Sequence, residues 1–89
     1  MRILLDGDLM KTKEEAHEYI GQILKAPDHY GHNLDALWDL VSTISSPIEI
    51  RLINKEKLID YLGYYGEHLI LVFEDAMDEN VNISFTSED

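Results

Sequence analysis

The feature that most restricts what this chain can fold into is the spacing of its apolar runs. Ile3-Leu4-Leu5 ends at Asp6-Gly7-Asp8. Ile48 to Ile53 alternates with Glu49 and Arg51, and Val81, Ile83 and Phe85 alternate with Asn82, Ser84 and Thr86. Short apolar runs closed by turn residues read as strands. The first is continuous rather than alternating, which predicts a strand buried on both faces. Between the first two runs lie two helical patterns. Thr12 and Glu15 form a capping-box pair, and Ala16, Tyr19, Ile20, Ile23 and Leu24 follow at helical spacing, predicting a helix over 12–25. Ala26-Pro27-Asp28 ends it, and Asn33 reads as the cap of a second helix. After Pro47 and the second strand, a short helical turn is expected around Lys55–Leu62, broken at Gly63 and reopened at Gly66. Leu69 to Phe73 suits a strand by composition. Leu69, Val72, Phe73 and Ala76 equally fit helical spacing, with Asn80 as a left-handed stop. The order β-α-α-β-α-β predicts parallel strands joined by right-handed helical crossovers, a small two-layer α/β fold.

Eighty-nine residues suffice for one domain spanning 1–89, and a chain of this size buries only about 60–65% of its unfolded surface. There is no cysteine, so neither a disulfide framework nor a thiolate zinc site is available. No signal peptide is expected, because Asp6 and Asp8 interrupt the first apolar run. Leu69 to Phe73 falls far short of the roughly 20 residues of a membrane span. These readings predict a soluble, cytoplasmic protein.

Charge narrows the partners. Eighteen acids against seven bases give a formal net charge of −11, which repels nucleic-acid backbones and anionic membranes and attracts basic surfaces. The acids also fall in base-free blocks. Between Lys25 and Arg51 stand Asp28, Asp35, Asp39 and Glu49 with no base, and after Lys57 eight acids follow with none.

One block holds a patterned helix. At about 100° per residue, Leu34, Leu37, Leu40, Val41 and Ile44 share a broad apolar face, and Asp35, Trp38, Asp39 and Ser42 share the opposite one. Carboxylates at i,i+4 repel by about 0.2–0.5 kcal/mol. Asp35 sits in the first turn, where the helix dipole compensates it, but Asp39 does not. Stability alone would not select this face; a basic cleft on another molecule would fit it.

Catalytic and metal readings find less support. His29 and His32 form an H-x-x-H pair with no third ligand at a diagnostic spacing, and Asp6-Gly7-Asp8 reads as a turn. His17 is expected on an exposed helix surface and His68 at the start of a helix. No nucleophile–base pair or phosphate-binding glycine loop stands out, so neither metal nor cofactor is expected. Tyr61, Tyr64 and Tyr65 are expected to fill space between two short helices.

Pro27, Tyr30-Gly31 and Asn33-Leu34-Asp35-Ala36-Leu37-Trp38-Asp39 resemble the signature of the barstar family, intracellular inhibitors of barnase-type ribonucleases. Chain length, the opening strand and turn, and Val72-Phe73-Glu74-Asp75-Ala76 before the last strand extend the resemblance over essentially the whole chain. It implies a three-stranded parallel sheet packed against helices, and it makes Leu69–Asp78 a helix. It implies a non-enzymatic inhibitor, monomeric when free. Its partner would be a barnase-like ribonuclease or nuclease toxin domain, held 1:1 with the second helix and the preceding loop in the active site. By position, Asp39 would occupy the pocket for substrate phosphate and Asp35 would accept hydrogen bonds beside it. His29, Tyr30, Gly31, Asn33, Leu34, Trp38, Ser42 and Thr43 would supply surrounding contacts, with Asp75 from the last helix.

Three positions depart from the family pattern. His29 replaces an aromatic, the Ser42–Ser46 stretch is one residue shorter with Thr43 or Ile44 in place of a tryptophan, and Asp75 replaces a glutamate. Two alternatives accompany the inhibitor reading: an acidic adaptor for another basic protein, and a metal-dependent hydrolase built on His29, His32 and nearby acids.

Overall fold

A computed structural model describes residues 1–89. Strand β1 (Arg2–Asp6) leads through a 3-10 turn (Gly7–Leu9) into helices α1 (Lys13–Ile23) and α2 (Leu34–Ser42). Strand β2 (Ile48–Ile53), helices α3 (Lys55–Leu62) and α4 (Tyr64–Glu79), and strand β3 (Ile83–Ser87) complete the chain. The strands form a parallel sheet in the order β1-β2-β3, with Leu4 opposite Arg51 and Arg51 opposite Thr86. This is the α/β architecture expected, with four helices.

The core lies between the sheet and the helices. Leu5, Ile50, Leu52, Ile83 and Phe85 meet Ala16 and Ile20 of α1, Leu37 and Val41 of α2, and Leu69, Ile70, Phe73 and Ala76 of α4. Phe73 stacks on Phe85 with ring centres 5.1 Å apart. Each buried side chain of this size contributes about 1.5–3 kcal/mol by leaving water. No helix is long and apolar enough to cross a membrane.

The opposite sheet face is uncovered. Arg2, Leu4, Glu49, Arg51, Ser84 and Thr86 all point into solvent. The expectation that β1 is buried on both faces is therefore corrected: Leu4 is 50% exposed. All four helices serve one side, so a continuous apolar run here marks an edge strand rather than a sandwiched one. Arg2 pairs with Glu49, and Arg51 with Glu88, across this polar side.

Two other boundaries differ from the sequence reading. Helix α4 opens at Tyr64, not at Gly66, immediately after Gly63 breaks α3 with φ +59°. Gly66 lies buried inside α4, where a Cβ would come within 3.0 Å of the Leu58 carbonyl oxygen. It marks the close approach of α3 and α4, not a new start. Asn80 is not left-handed but extended (φ −129°, ψ 110°), and it is buried. Its amide nitrogen donates to the carbonyls of Val41, Ser42 and Ile44 at 3.3, 3.2 and 2.9 Å. These carbonyls lie in the last turn of α2 and just beyond it, where the helix supplies few donors, so Asn80 fastens one helix to the exit of another. The third strand begins at Ile83, and Val81 stands fully exposed in the turn before it.

Candidate partner-binding face

Helix α1 ends in a left-handed turn. Lys25 has φ +55°, with Ala26 N donating to the Gly21 carbonyl at 2.8 Å and Lys25 N to that of Gln22 at 3.2 Å. This Schellman arrangement reverses the chain, and a second turn closes when Tyr30 N donates to the Pro27 carbonyl at 2.9 Å. His32 is again left-handed (φ +52°). Asn33 then caps α2: its Oδ1 accepts from Ala36 N at 2.7 Å and its Nδ2 donates to the Gly31 carbonyl at 3.2 Å. The cap deduced from sequence is present, and it locks the loop to the helix it precedes.

Along α2 the sidedness follows the helical spacing. Leu37 and Val41 are buried, Leu34, Leu40 and Ile44 partly so, and Asp35, Asp39 and Thr43 are exposed. Trp38 is half-buried against the core margin. Thr43 Oγ1 donates back to the Asp39 carbonyl at 2.7 Å, finishing the last turn.

Loop and helix enclose a cleft of about 550 Å³ lined by Pro27, His29, Tyr30, Gly31, Ala36, Asp39, Leu40 and Thr43. Asp39 therefore belongs both to the cleft and to the face shared with Asp35, Trp38 and Ser42. Those three stand farther around α2 and do not line the cleft. Asn33 and Leu34 hold the junction. Asp75 is exposed on α4, whose side packs against α2, and it too lies outside the cleft. The ion pairs of the protein join Arg2 to Glu49, Arg51 to Glu88 and Lys55 to Asp89. None reaches Asp35, Asp39 or Asp75: of the acids in the base-free stretches, Glu49, Glu88 and Asp89 find a cation from elsewhere in the chain, and these three do not.

The H-x-x-H pair does not converge. His29 lines the cleft just described, whereas His32 lines a separate one with Glu18, Gln22 and Lys25. His32 packs against the Tyr30 ring, centres 5.2 Å apart.

Two corrections concern aromatic neighbours of the loop. His17, expected on an exposed surface, is 0% exposed. Its Nδ1 lies 2.8 Å from the Tyr30 hydroxyl and its Nε2 2.6 Å from the Tyr65 hydroxyl. Burial away from water, then the nearby His32, holds the imidazole below its ordinary pKa, and burial pushes the Tyr30 phenol up to about 12. The tyrosine cluster does not act as one filler. Tyr65 is half-buried over His17, but Tyr61 is exposed and bonds Asp8, and Tyr64 is 82% exposed. A sequence signal for His17 does exist: His17, Ile20, Gly21 and Leu24 recur at i, i+3, i+4 and i+7, one inward stripe.

The family model described as Barstar (barnase inhibitor) matches residues 1–88. The chain belongs to the Barstar family. A Bacillus subtilis (strain 168) protein named "Putative ribonuclease inhibitor YrdF" is 35% identical over 79 residues, covering 88% of this chain and 87% of that one. Membership in the Barstar family, whose description names an inhibitor, places the chain among inhibitors rather than enzymes and sets the hydrolase alternative aside.

Proposed function

We propose that this protein inhibits a barnase-type ribonuclease by occluding its active site with the loop 27–33 and the outer face of α2. The observation that carries this reading is Asp39: an exposed carboxylate on the rim of a cleft lined by no lysine or arginine, itself in no ion pair. A ribonuclease active site is built to bind phosphate, so a pre-positioned carboxylate without an internal partner can replace the anion it would otherwise hold. Asp35 accepts hydrogen bonds beside it. His29, Tyr30, Gly31, Asn33, Leu34, Trp38, Ser42 and Thr43 form the surrounding contact surface, and Asp75 adds an acid from α4.

The 89 residues act as one inhibitory unit, monomeric when free and 1:1 with the nuclease in the cytoplasm, as an immunity protein does. A net charge of −11 steers the encounter with a basic enzyme. Titrating barnase-catalysed RNA cleavage with the protein tests the proposal. Activity should reach zero at one equivalent. Full activity with barnase, and with nucleases encoded beside this gene, would reject it.

A further inference from the structure

Of the seven bases in the chain, Arg2, Arg51 and Lys55 form ion pairs, and Lys11 and Lys13 lie over the rings of Tyr61 and Tyr65. Lys25 and Lys57 have neither kind of partner. Lys57 belongs to α3, which packs on α4 and the 3-10 turn. Lys25 stands exposed at the exit of α1, just before Pro27. There it lines a cleft of about 420 Å³ together with Glu18, Asp28 and His32. Pro27 and Tyr30 line this cleft and also the one that holds Asp39, so the loop is a ridge between two hollows. Except for Tyr30, every residue from Pro27 to Asn33 is exposed.

We infer that Lys25 is a specificity-determining residue: it takes a carboxylate of the nuclease in the cleft on the α1 side of the loop. The inference rests on the inhibitory reading above and adds a second flank to the partner-binding face. A nuclease that covers the ridge meets both hollows, and a stable complex needs about 20–30 residues a side, more than loop and α2 supply. Folding does not explain the residue. Its backbone is left-handed (φ +55°) in a closing turn where glycine is usual, so a side chain here costs conformational energy. The α1 dipole would favour a cation equally on the last turn proper, which carries none. Glu18 and Asp28 share the cleft but form no ion pair with the ammonium. They offset its field at a distance, so Lys25 does not steer the encounter. At contact the balance changes. A carboxylate seated on the ammonium gains a charge-assisted hydrogen bond, whereas a nuclease arginine or lysine meets a like charge. The two hollows thus read opposite signs on one surface: Asp39 takes a cation and Lys25 an anion.

Lys25→Glu gives a test of sign. The probe is the nuclease that the wild-type protein titrates to zero, barnase or one encoded beside this gene. Charge steering alone would let this more acidic variant bind a basic enzyme as tightly as wild type, or tighter. The inferred contact instead makes it dissociate about tenfold or more faster, through like-charge repulsion. Lys25→Gln should lose up to about fivefold, the size of an exposed ion pair. Lys57→Glu makes the same charge change on α3, and its dissociation rate should match wild type. All variants are compared at equal folded fraction by circular dichroism. A charge swap completes the test: among nuclease variants with one surface Asp or Glu replaced by Lys, one should bind Lys25→Glu more tightly than it binds wild type. A Lys25→Glu protein that binds as well as wild type overturns the inference, as does a weakening that Lys57→Glu shares or that no swap restores. Asp39→Asn judges the inhibitory reading separately. If it binds as well as wild type while Lys25→Glu is weakened, the role of Asp39 falls and the Lys25 contact stands. A wild type that inhibits neither barnase nor a neighbouring nuclease removes both.

Discussion

The side-chain amide of Asn80 donates to the main-chain carbonyl of Ile44 at 2.9 Å, across 36 residues of sequence. With the bonds to Val41 and Ser42, it adds a side-chain donor at the end of α2, where regular helical partners run out. Asn80→Ala takes that donor from carbonyls in a largely buried place; Val41 keeps the Ile44 amide and Ile44 keeps Asn82, while Ser42 loses its side-chain donor. The expected cost is about 1–3 kcal/mol. A urea titration should show a lower midpoint at unchanged slope; a shift of less than about 0.3 kcal/mol would mean that water takes over the role.

Asp39→Asn separates folding from binding. The side chain is exposed, makes no ion pair, and repels Asp35 one turn away, so stability should stay within about 0.5 kcal/mol of wild type. Inhibition of barnase should weaken by about 2–5 kcal/mol, a range for which the barnase–barstar pair is itself a reference case. Equal inhibition by mutant and wild type would remove Asp39 from the nuclease active site. Loss of folding would instead reveal a structural partner for the carboxylate.

The buried imidazole of His17 makes stability depend on pH with a definite sign. Its pKa is lowered in the folded protein, so the unfolded chain takes up a proton first as the pH falls. The stabilisation is complete above about 6.5, the unfolded value. It declines below that until the native-state pKa is reached, with a slope of at most about 1.4 kcal/mol per pH unit. Urea midpoints collected between pH 7.5 and 4.5 should show this decline, and His17→Gln should flatten the part just below pH 6.5. Parallel profiles for the two proteins would assign the decline to other groups.

Association with a basic nuclease should be fast and salt-sensitive. None of the acids of α2 and α4 forms an ion pair within the chain, and at about 0.15 M ionic strength their field extends roughly 8 Å. Stopped-flow rates with barnase should therefore fall steeply between low and physiological salt, while dissociation changes little. A flat association rate would mean that shape, not charge, governs the encounter.

What the sequence disclosed depended on how local the physics was. The Asn33 cap, the two-sided α2 and the alternating β2 each follow from neighbours within four residues, and each is present as read. The ambiguous stretch around Leu69 could not be resolved from its own composition. Its helical state comes from packing Leu69, Phe73 and Ala76 on the sheet, and only the family resemblance anticipated it. His17 and Asn80 escape a local reading for one reason: their partners lie 13 to 48 residues away. A polar side chain alone suggests solvent, whereas its burial is made possible by groups the local window does not contain. Leu4 failed in the other direction, because hydrophobicity does not say whether a second layer exists to cover it.

That missing layer has a practical side. The uncovered sheet face lies opposite the helices, on a molecule only 19 Å along its shortest principal axis. Thr86 is exposed at one edge of this face, and the chain contains no cysteine. A Thr86→Cys substitution would thus create a unique chemical handle on the side away from the loop and α2. Coupled through it to a sensor chip, every molecule would lie sheet-down with Asp39 turned toward the flowing solution. Binding constants measured in that orientation would carry no contribution from blocked or mixed attachment.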